Sequence, residues 1–284
     1  MTASLGACDP GPGTDDGGRL TVAASFYPVF ELATRVGGDR VEVSNLTPPG
    51  AEPHDLELTT DQVDAVLDAD LVIHLGGGFQ PALADALEGR DGPVLDLLTE
   101  VLGEDAEGGD VDPHVWLDPA LMSIAAAEVG EALSLVDDAN AGYYRPRARE
   151  FQDELGALDS EMRLGLRGCE RDLIVTAHDA FGRLALRYGL RVEAIAGISP
   201  EAEPDPARLE ELIRLVEREH VTTIFTETLV SPEVAETLAR EAGVRTAVLN
   251  PMEGLTEAER EAGEDYFSLM RANLGELRAA LGCP

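Results

Sequence analysis

Apolar positions along the chain fall into short, nearly unbroken runs, separated by stretches in which apolar residues recur every three or four places. In the first half the runs are Leu20–Ser25, Val41–Leu46, Leu71–Leu75 and Pro93–Leu97. In the second half they are Asp172–Ala177, Arg191–Ile198, Thr222–Thr226 and Arg245–Leu249. Runs of this kind read as strands, and their alternation with helical stretches predicts α/β architecture. Thr60–Asp68 is a predicted helix with Val63, Val66 and Leu67 on one face. Asp205-Pro206 opens another, with Leu209, Leu212, Ile213 and Val216 on its apolar side. At Ser231-Pro232-Glu233 the serine is the expected N-cap and the proline the first helical residue, with Gly243 ending the helix.

A different pattern joins the halves. From 141 to 167, Tyr144, Phe151, Leu155, Leu158, Met162 and Leu166 form one helical stripe, with Pro146 near its start. At 1.5 Å per residue this is a rod roughly 40 Å long. The expected fold is two α/β lobes, each a mostly parallel sheet flanked by helices, joined by one long rigid helix. The boundaries read as a flexible tether over 1–18, an N-terminal lobe over 19–138, a linking helix over 139–170 and a C-terminal lobe over 171–284.

Composition narrows the function. The 284 residues carry 21 basic and 55 acidic side chains, a net charge of −34, and every basic residue is Arg. Such a surface repels phosphate backbones, which argues against nucleic-acid binding. No run approaches the ~20 apolar residues of a membrane span, so the chain is not expected to cross a bilayer. Acidity of this kind reads first as solubility rather than as a cation trap.

Three cysteines occur. Leu5-Gly6-Ala7-Cys8 resembles a bacterial lipobox, whose Cys becomes lipid-modified, and a Gly/Pro/Asp-rich tether follows it. No charged n-region or apolar h-region precedes it, so the signal segment is expected to be absent from this chain. In a chain that reads as exported, Cys169 and Cys283 invite a disulfide pinning the last helix to the start of the second lobe.

The histidines carry the chemistry. His54 follows a strand in Pro48-Pro49-Gly50-Ala51-Glu52-Pro53-His54-Asp55; His114 sits in Asp112-Pro113-His114-Val115-Trp116-Leu117-Asp118-Pro119; His178 leaves a strand in Thr176-Ala177-His178-Asp179. In open α/β sheets ligands bind beyond the carboxyl ends of strands, so all three can face one interlobe cleft. Neutral imidazoles suit a borderline ion such as Zn²⁺. Asp55, Asp112 or Asp118, and Asp179 lie close enough in sequence to accept the second ring N–H. His74 reads as a rim residue, and His220 as a cation at a helix end. Gly76-Gly77-Gly78 lacks the spacing of a phosphate loop, and no Gly-x-Ser-x-Gly or HExxH occurs.

Taken together, Gly50–Asp55, Asp112–Pro119, His178-Asp179-Ala180-Phe181, Arg187-Tyr188-Gly189-Leu190, Gly197–Pro204 and Phe225-Thr226-Glu227 resemble the metal-binding solute-binding proteins of ABC importers, the ZnuA/TroA-type zinc and manganese receptors. The resemblance covers residues 20–282. It implies one metal ion held between the lobes, with His54, His114 and His178 on the family's first three ligand positions. His rather than Glu at the third position implies zinc rather than manganese, in keeping with ligand softness. The fourth position falls on Asn250, where the family often has Asp; water, Asn250, Glu253 or Glu227 is left to complete the shell. Asp118, Asp179, Glu227 and Glu253 are the expected supporting carboxylates. The His-rich loop of many zinc receptors is replaced by the acidic stretch Gly103–Asp110, expected to be solvated.

The function so implied is an extracytoplasmic, non-enzymatic zinc receptor, periplasmic or a cell-surface lipoprotein held by Cys8, that acts as a monomer and delivers Zn²⁺ to a membrane permease. A manganese receptor of the same family is one alternative. From another class, three His and a water also make the shell of a zinc hydrolase, with Glu227 or Glu253 as its base.

Overall fold

The computed structural model describes residues 18–106, 111–200 and 205–284. The lipobox-like Cys8, most of the tether, part of the acidic stretch before His114 and the Glu201–Pro204 end of one family motif lie outside the described residues. The first lobe contains β1 (Leu20–Ala24), α1 (Tyr27–Gly37), β2 (Val41–Asn45), α2 (Thr60–Asp68), β3 (Leu71–His74), α3 (Pro81–Leu87), β4 (Val94–Asp96), α4 (Leu97–Leu102) and α5 (Pro119–Val136). The linking helix is α6 (Ala141–Gly165). The second lobe contains β5 (Leu173–Thr176), α7 (Gly182–Tyr188), β6 (Arg191–Ala194), α8 (Pro206–Glu219), β7 (Thr223–Thr226), α9 (Glu233–Ala242), β8 (Arg245–Val248), α10 (Glu257–Ala262) and α11 (Tyr266–Leu281).

All eight apolar runs form strands. They make two four-stranded sheets of the same order, β2-β1-β3-β4 and β6-β5-β7-β8, with every pairing parallel. Central strands β1, β3, β5 and β7 are buried because helices cover both faces of each sheet, which is why their sequences are continuous rather than alternating. The run at Arg191–Ile198 is shorter than expected. Beyond Ala194 the amide of Ile195 still reaches β5 at the Thr176 carbonyl, and past the strand ends the Ala196 amide donates to Ala177 O and the Asp179 amide to Gly197 O.

Helix ends follow their side chains. Thr59 and Gln62 form a capping box that starts α2, and Asp205 with Pro206 starts α8. Of the expected α2 face only Val66 is fully buried, and Leu67 is exposed. At α9 the first helical residue is Glu233, one place later than expected, although Ser231 Oγ still accepts the Glu233 amide at 3.4 Å.

Helix α6 is 25 residues long, about 37 Å. Its buried stripe is the one read from sequence, Tyr144, Phe151, Leu155, Leu158, Met162 and Leu166. Pro146 is the sixth helical residue, deeper than expected, and the carbonyl it leaves without a helical partner belongs to exposed Gly142. One hydrophobic core runs through α6 into both lobes and contains Phe26, Trp116, Phe151, Phe181 and Tyr266. The sequence expectation about membranes needs one correction: α5 is long and apolar enough, by length and composition, to span a bilayer. In the fold it packs its Met122, Ala126, Val129 and Leu133 into that core.

Cys169 and Cys283 are bridged. The carboxyl end of α11 is thereby tied beside the segment that enters β5, where the Arg171 amide also donates to Leu281 O at 3.0 Å.

Candidate metal centre

Four loops converge between the lobes, three following the carboxyl ends of β2, β5 and β8 and the fourth, which carries His114, following α4. After β2 the chain turns at Gly50, whose φ of +80° favours glycine, and its amide donates across the lobes to Leu255 O at 3.0 Å. A single 3₁₀ turn then presents His54, with the Glu52 side chain accepting the His54 amide. The ring of His54 lies edge-on to Phe79, 4.5 Å between centroids, and Gly77 and Gly78 have the positive φ of the turn that delivers Phe79.

His114 is fixed by its neighbour two places back. Asp112 Oδ1 accepts both the His114 amide, at 3.0 Å, and Nδ1, at 2.7 Å. His178 is fixed from another strand: the two oxygens of Glu227, just past β7, take its amide at 3.1 Å and its Nδ1 at 2.7 Å. In both rings the Nδ1 contact leaves Nε2 free to face the cleft, the arrangement usual for a metal-ligating imidazole.

Glu253 arrives after β8 on a built turn. Asn250 Oδ1 accepts the Met252 amide at 2.7 Å, Met252 takes a φ of +58°, and Asn273 clamps both backbone groups of Asn250. That turn aims Glu253 Oε1 at the three rings, 3.4 Å from His54 Nε2 and 3.3 Å from Nε2 of each of His114 and His178. One donor atom from each of the four residues lies within 4.8 Å of all the others.

These distances fit a tetrahedral ion. Donors about 2.0–2.1 Å from zinc stand about 3.3–3.4 Å apart along a tetrahedral edge. Hydrogen bonding satisfies the cluster poorly: His54 Nε2 and Glu253 Oε1 pair at 3.4 Å, but Nε2 of His114 and of His178, and Oε2 of Glu253, are buried with no hydrogen-bond partner. Orphaned polar atoms at a common point are costly unless a cation satisfies them. His114 and His178 are fully buried, Glu253 is 1% exposed, and the His54 side chain keeps 8%.

Electrostatics of the metal-free site follow from burial opposed by pairing. Burial works against a charge on His178, but Glu227 and Glu253 outweigh it and hold the ring up at about 10. His114 moves up for the same reasons, through Asp112 and Glu253. Burial alone would raise Glu253, yet the three histidines hold it well below the usual carboxylate range. Burial, then the charge of Glu253, pushes Glu52 up to about 8. Without metal the pocket thus keeps protons that an incoming cation must displace.

The sequence placed His54, His114 and His178 in one cleft, and the fold brings them together. Asn250 does not join them. Its Oδ1 is taken by the Met252 amide and its Nδ2 donates to Glu259 at 2.9 Å, so it shapes the turn while Glu253 brings the fourth ligand-type atom to the cluster. Glu227 supports His178 as expected. Asp118 does not touch a histidine; it caps α5 through the Ala120 amide and pairs with Arg187, leaving Asp112 as the partner of His114. Among the described residues no side-chain hydrogen bond joins Asp179 to a histidine. His74 closes β3 outside the cluster, and His220 ends α8 in the left-handed conformation. Glu52 stands in the Gly50–Asp55 motif, but no role was assigned to it from sequence.

A family model described as the periplasmic zinc-uptake complex component A matches residues 22–280. The zinc-binding lipoprotein AdcA of Streptococcus pneumoniae is 36% identical over 278 residues, which is 92% of this chain and 56% of AdcA. The chain therefore spans little more than half of that relative. The high-affinity zinc uptake system protein ZnuA of Bacillus subtilis is 32% identical over 288 residues, 95% of this chain and 90% of that protein. Among solved structures, the Zn(II)-bound ZnuA-like domain of Streptococcus pneumoniae AdcA is similar with a TM-score of 0.80 and 36% identity, covering 93% of this chain and 99% of that domain.

Proposed function

The chain belongs to the family of zinc-uptake complex component A, and on that premise we propose that it is an extracytoplasmic receptor that captures Zn²⁺ between its lobes and delivers it to the membrane permease of an ABC importer. His54, His114, His178 and Glu253 bind the ion. The observation that carries this reading is the spacing of Glu253 Oε1 from three imidazole nitrogens, 3.3–3.4 Å, which is a tetrahedral edge. Three imidazoles with a single carboxylate favour zinc over manganese, which prefers more oxygen donors and six-fold coordination. Attachment to a membrane through Cys8 fits a relative named as a lipoprotein.

An enzymatic reading has less support. A catalytic zinc keeps a position for water and a base beside it. Here Glu253 fills the fourth position, and both oxygens of Glu227 are committed to His178. The test is calorimetric titration of metal-free protein with Zn²⁺, alone and against excess Mn²⁺. One tightly bound Zn²⁺ per chain that Mn²⁺ fails to displace is expected; preference for Mn²⁺, or no saturable binding, would overturn the reading.

A further inference from the structure

We propose, resting on that zinc reading, that Arg183 and Arg187 form a clasp across the lobes that positions the segment carrying His114. Both belong to α7, which begins four residues after His178, and at i and i+4 they share one helix face. Arg183 reaches the first lobe with two donors on one acceptor: Nε and Nη2 donate to the Asp112 carbonyl at 2.8 and 2.6 Å. Arg187 Nε lies 2.9 Å from Asp118 Oδ1 and 2.7 Å from Asp159 Oδ1 on the linking helix. Asp112 and Asp118 bracket the stretch that holds His114, so the two guanidinium groups grip both its ends.

The approach is close by construction. A Cβ at Gly182 would meet Asp112 Oδ2 at 2.9 Å, so the start of α7 rests against the carboxylate that orients the His114 ring. The two arginine side chains are about four-fifths covered, 21% and 19% exposed. A planar guanidinium donating twice to one carbonyl fixes distance and direction, which a lysine ammonium does not. Because α7 continues directly from His178, the clasp sets a donor of the second lobe in register with a donor of the first. Neither arginine contacts the four donor atoms; they are positioning residues that act through Asp112 and Asp118.

The test compares Arg183→Met and the milder Arg183→Lys with wild type in the full chain. Zinc dissociation is followed by competition with EDTA, and the Nδ1–H resonance of His114 by NMR in metal-free protein. Arg183→Met is expected to weaken zinc binding by up to about 10-fold, the lower end of what losing a direct partner of a ligand costs, because Arg183 acts one residue further out, and mainly through faster release. The His114 resonance should shift with it, and Arg183→Lys should fall between. Unchanged affinity and an unchanged resonance in Arg183→Met would overturn the clasp. Failure of wild type to bind zinc would instead strike the proposed function, and the metal-free resonance would still decide the clasp.

Discussion

The indole N–H of Trp116, in the first lobe, donates to the backbone carbonyl of Pro251, in the second, at 2.7 Å. Trp116 is the single tryptophan of the chain, is 2% exposed and lies 5.1 Å from the His114 ring between centroids. Its fluorescence therefore reports on the cleft. Zinc addition to metal-free protein should change the emission, and Trp116→Phe should abolish that change. The same variant leaves the buried Pro251 carbonyl without its donor and should cost about 1–3 kcal/mol of stability in denaturant melts. Emission that ignores saturating zinc would contradict the placement of Trp116 beside the ion.

Glu253 and Glu227 should separate by size of effect. Glu253→Gln removes the one charged donor and should lower zinc affinity by more than the roughly 10–100-fold lost with an outer-shell partner. Glu227→Gln, which keeps the shape beside His178, should stay within that range. Equal effects, measured by chelator competition, would remove the distinction between donor and support.

Much of this was legible in the sequence, for identifiable reasons. The central strands, covered on both faces, leave nearly unbroken apolar runs and the edge strands mixed ones in alternation with helical stretches, so all eight were visible, and the stripe from Tyr144 to Leu166 has the period of one helix. The three histidines stood out because each lies in a connecting segment beside a carboxylate. The fourth donor could not be settled. Asn250 and Glu253 lie three residues apart, and which one faces the cleft depends on the left-handed turn at Met252, a conformation that methionine does not advertise. Asp112 and Asp118 flank His114 symmetrically enough that only the fold separates the ring partner from the helix cap. Arg187 stands in a family-like motif, but the contacts of Arg183 and Arg187 were not legible, because their partners come from the first lobe and the linking helix.

Zinc affinity should depend steeply on pH. His178 in the metal-free protein titrates at about 10, raised by Glu227 and Glu253 against the opposing cost of burial. Below that value a proton competes for the ring, so apparent affinity should climb as pH rises toward 10, and each Zn²⁺ bound near pH 7.5 should release protons. Stability of the metal-free protein runs the other way. A raised folded value contributes stability fully below the unfolded histidine value, about 6.5, and loses it as pH rises through about 10. Calorimetric heats at pH 7.5 should thus vary with the ionisation enthalpy of the buffer; heats that do not would contradict the protonated ring.

Reduction of Cys169–Cys283 should destabilise without altering the site. The bridge spans 114 residues of sequence and closes the entire second lobe. Losing it should cost about 2–5 kcal/mol by the chain-entropy argument. Cys283→Ser should therefore melt earlier in its metal-free form, while zinc affinity measured well below the melt stays at the wild-type value. A large loss of affinity would mean that the far end of α11 reaches the cleft energetically.

The most direct test of a shared ion is X-ray absorption spectroscopy on protein loaded with one equivalent of Zn²⁺. The expected first shell is three imidazole nitrogens and one carboxylate oxygen, about 2.0–2.1 Å from the metal, with one imidazole lost in His114→Ala. A shell dominated by water or carboxylate oxygen, unchanged in that variant, would contradict a centre built from His54, His114, His178 and Glu253.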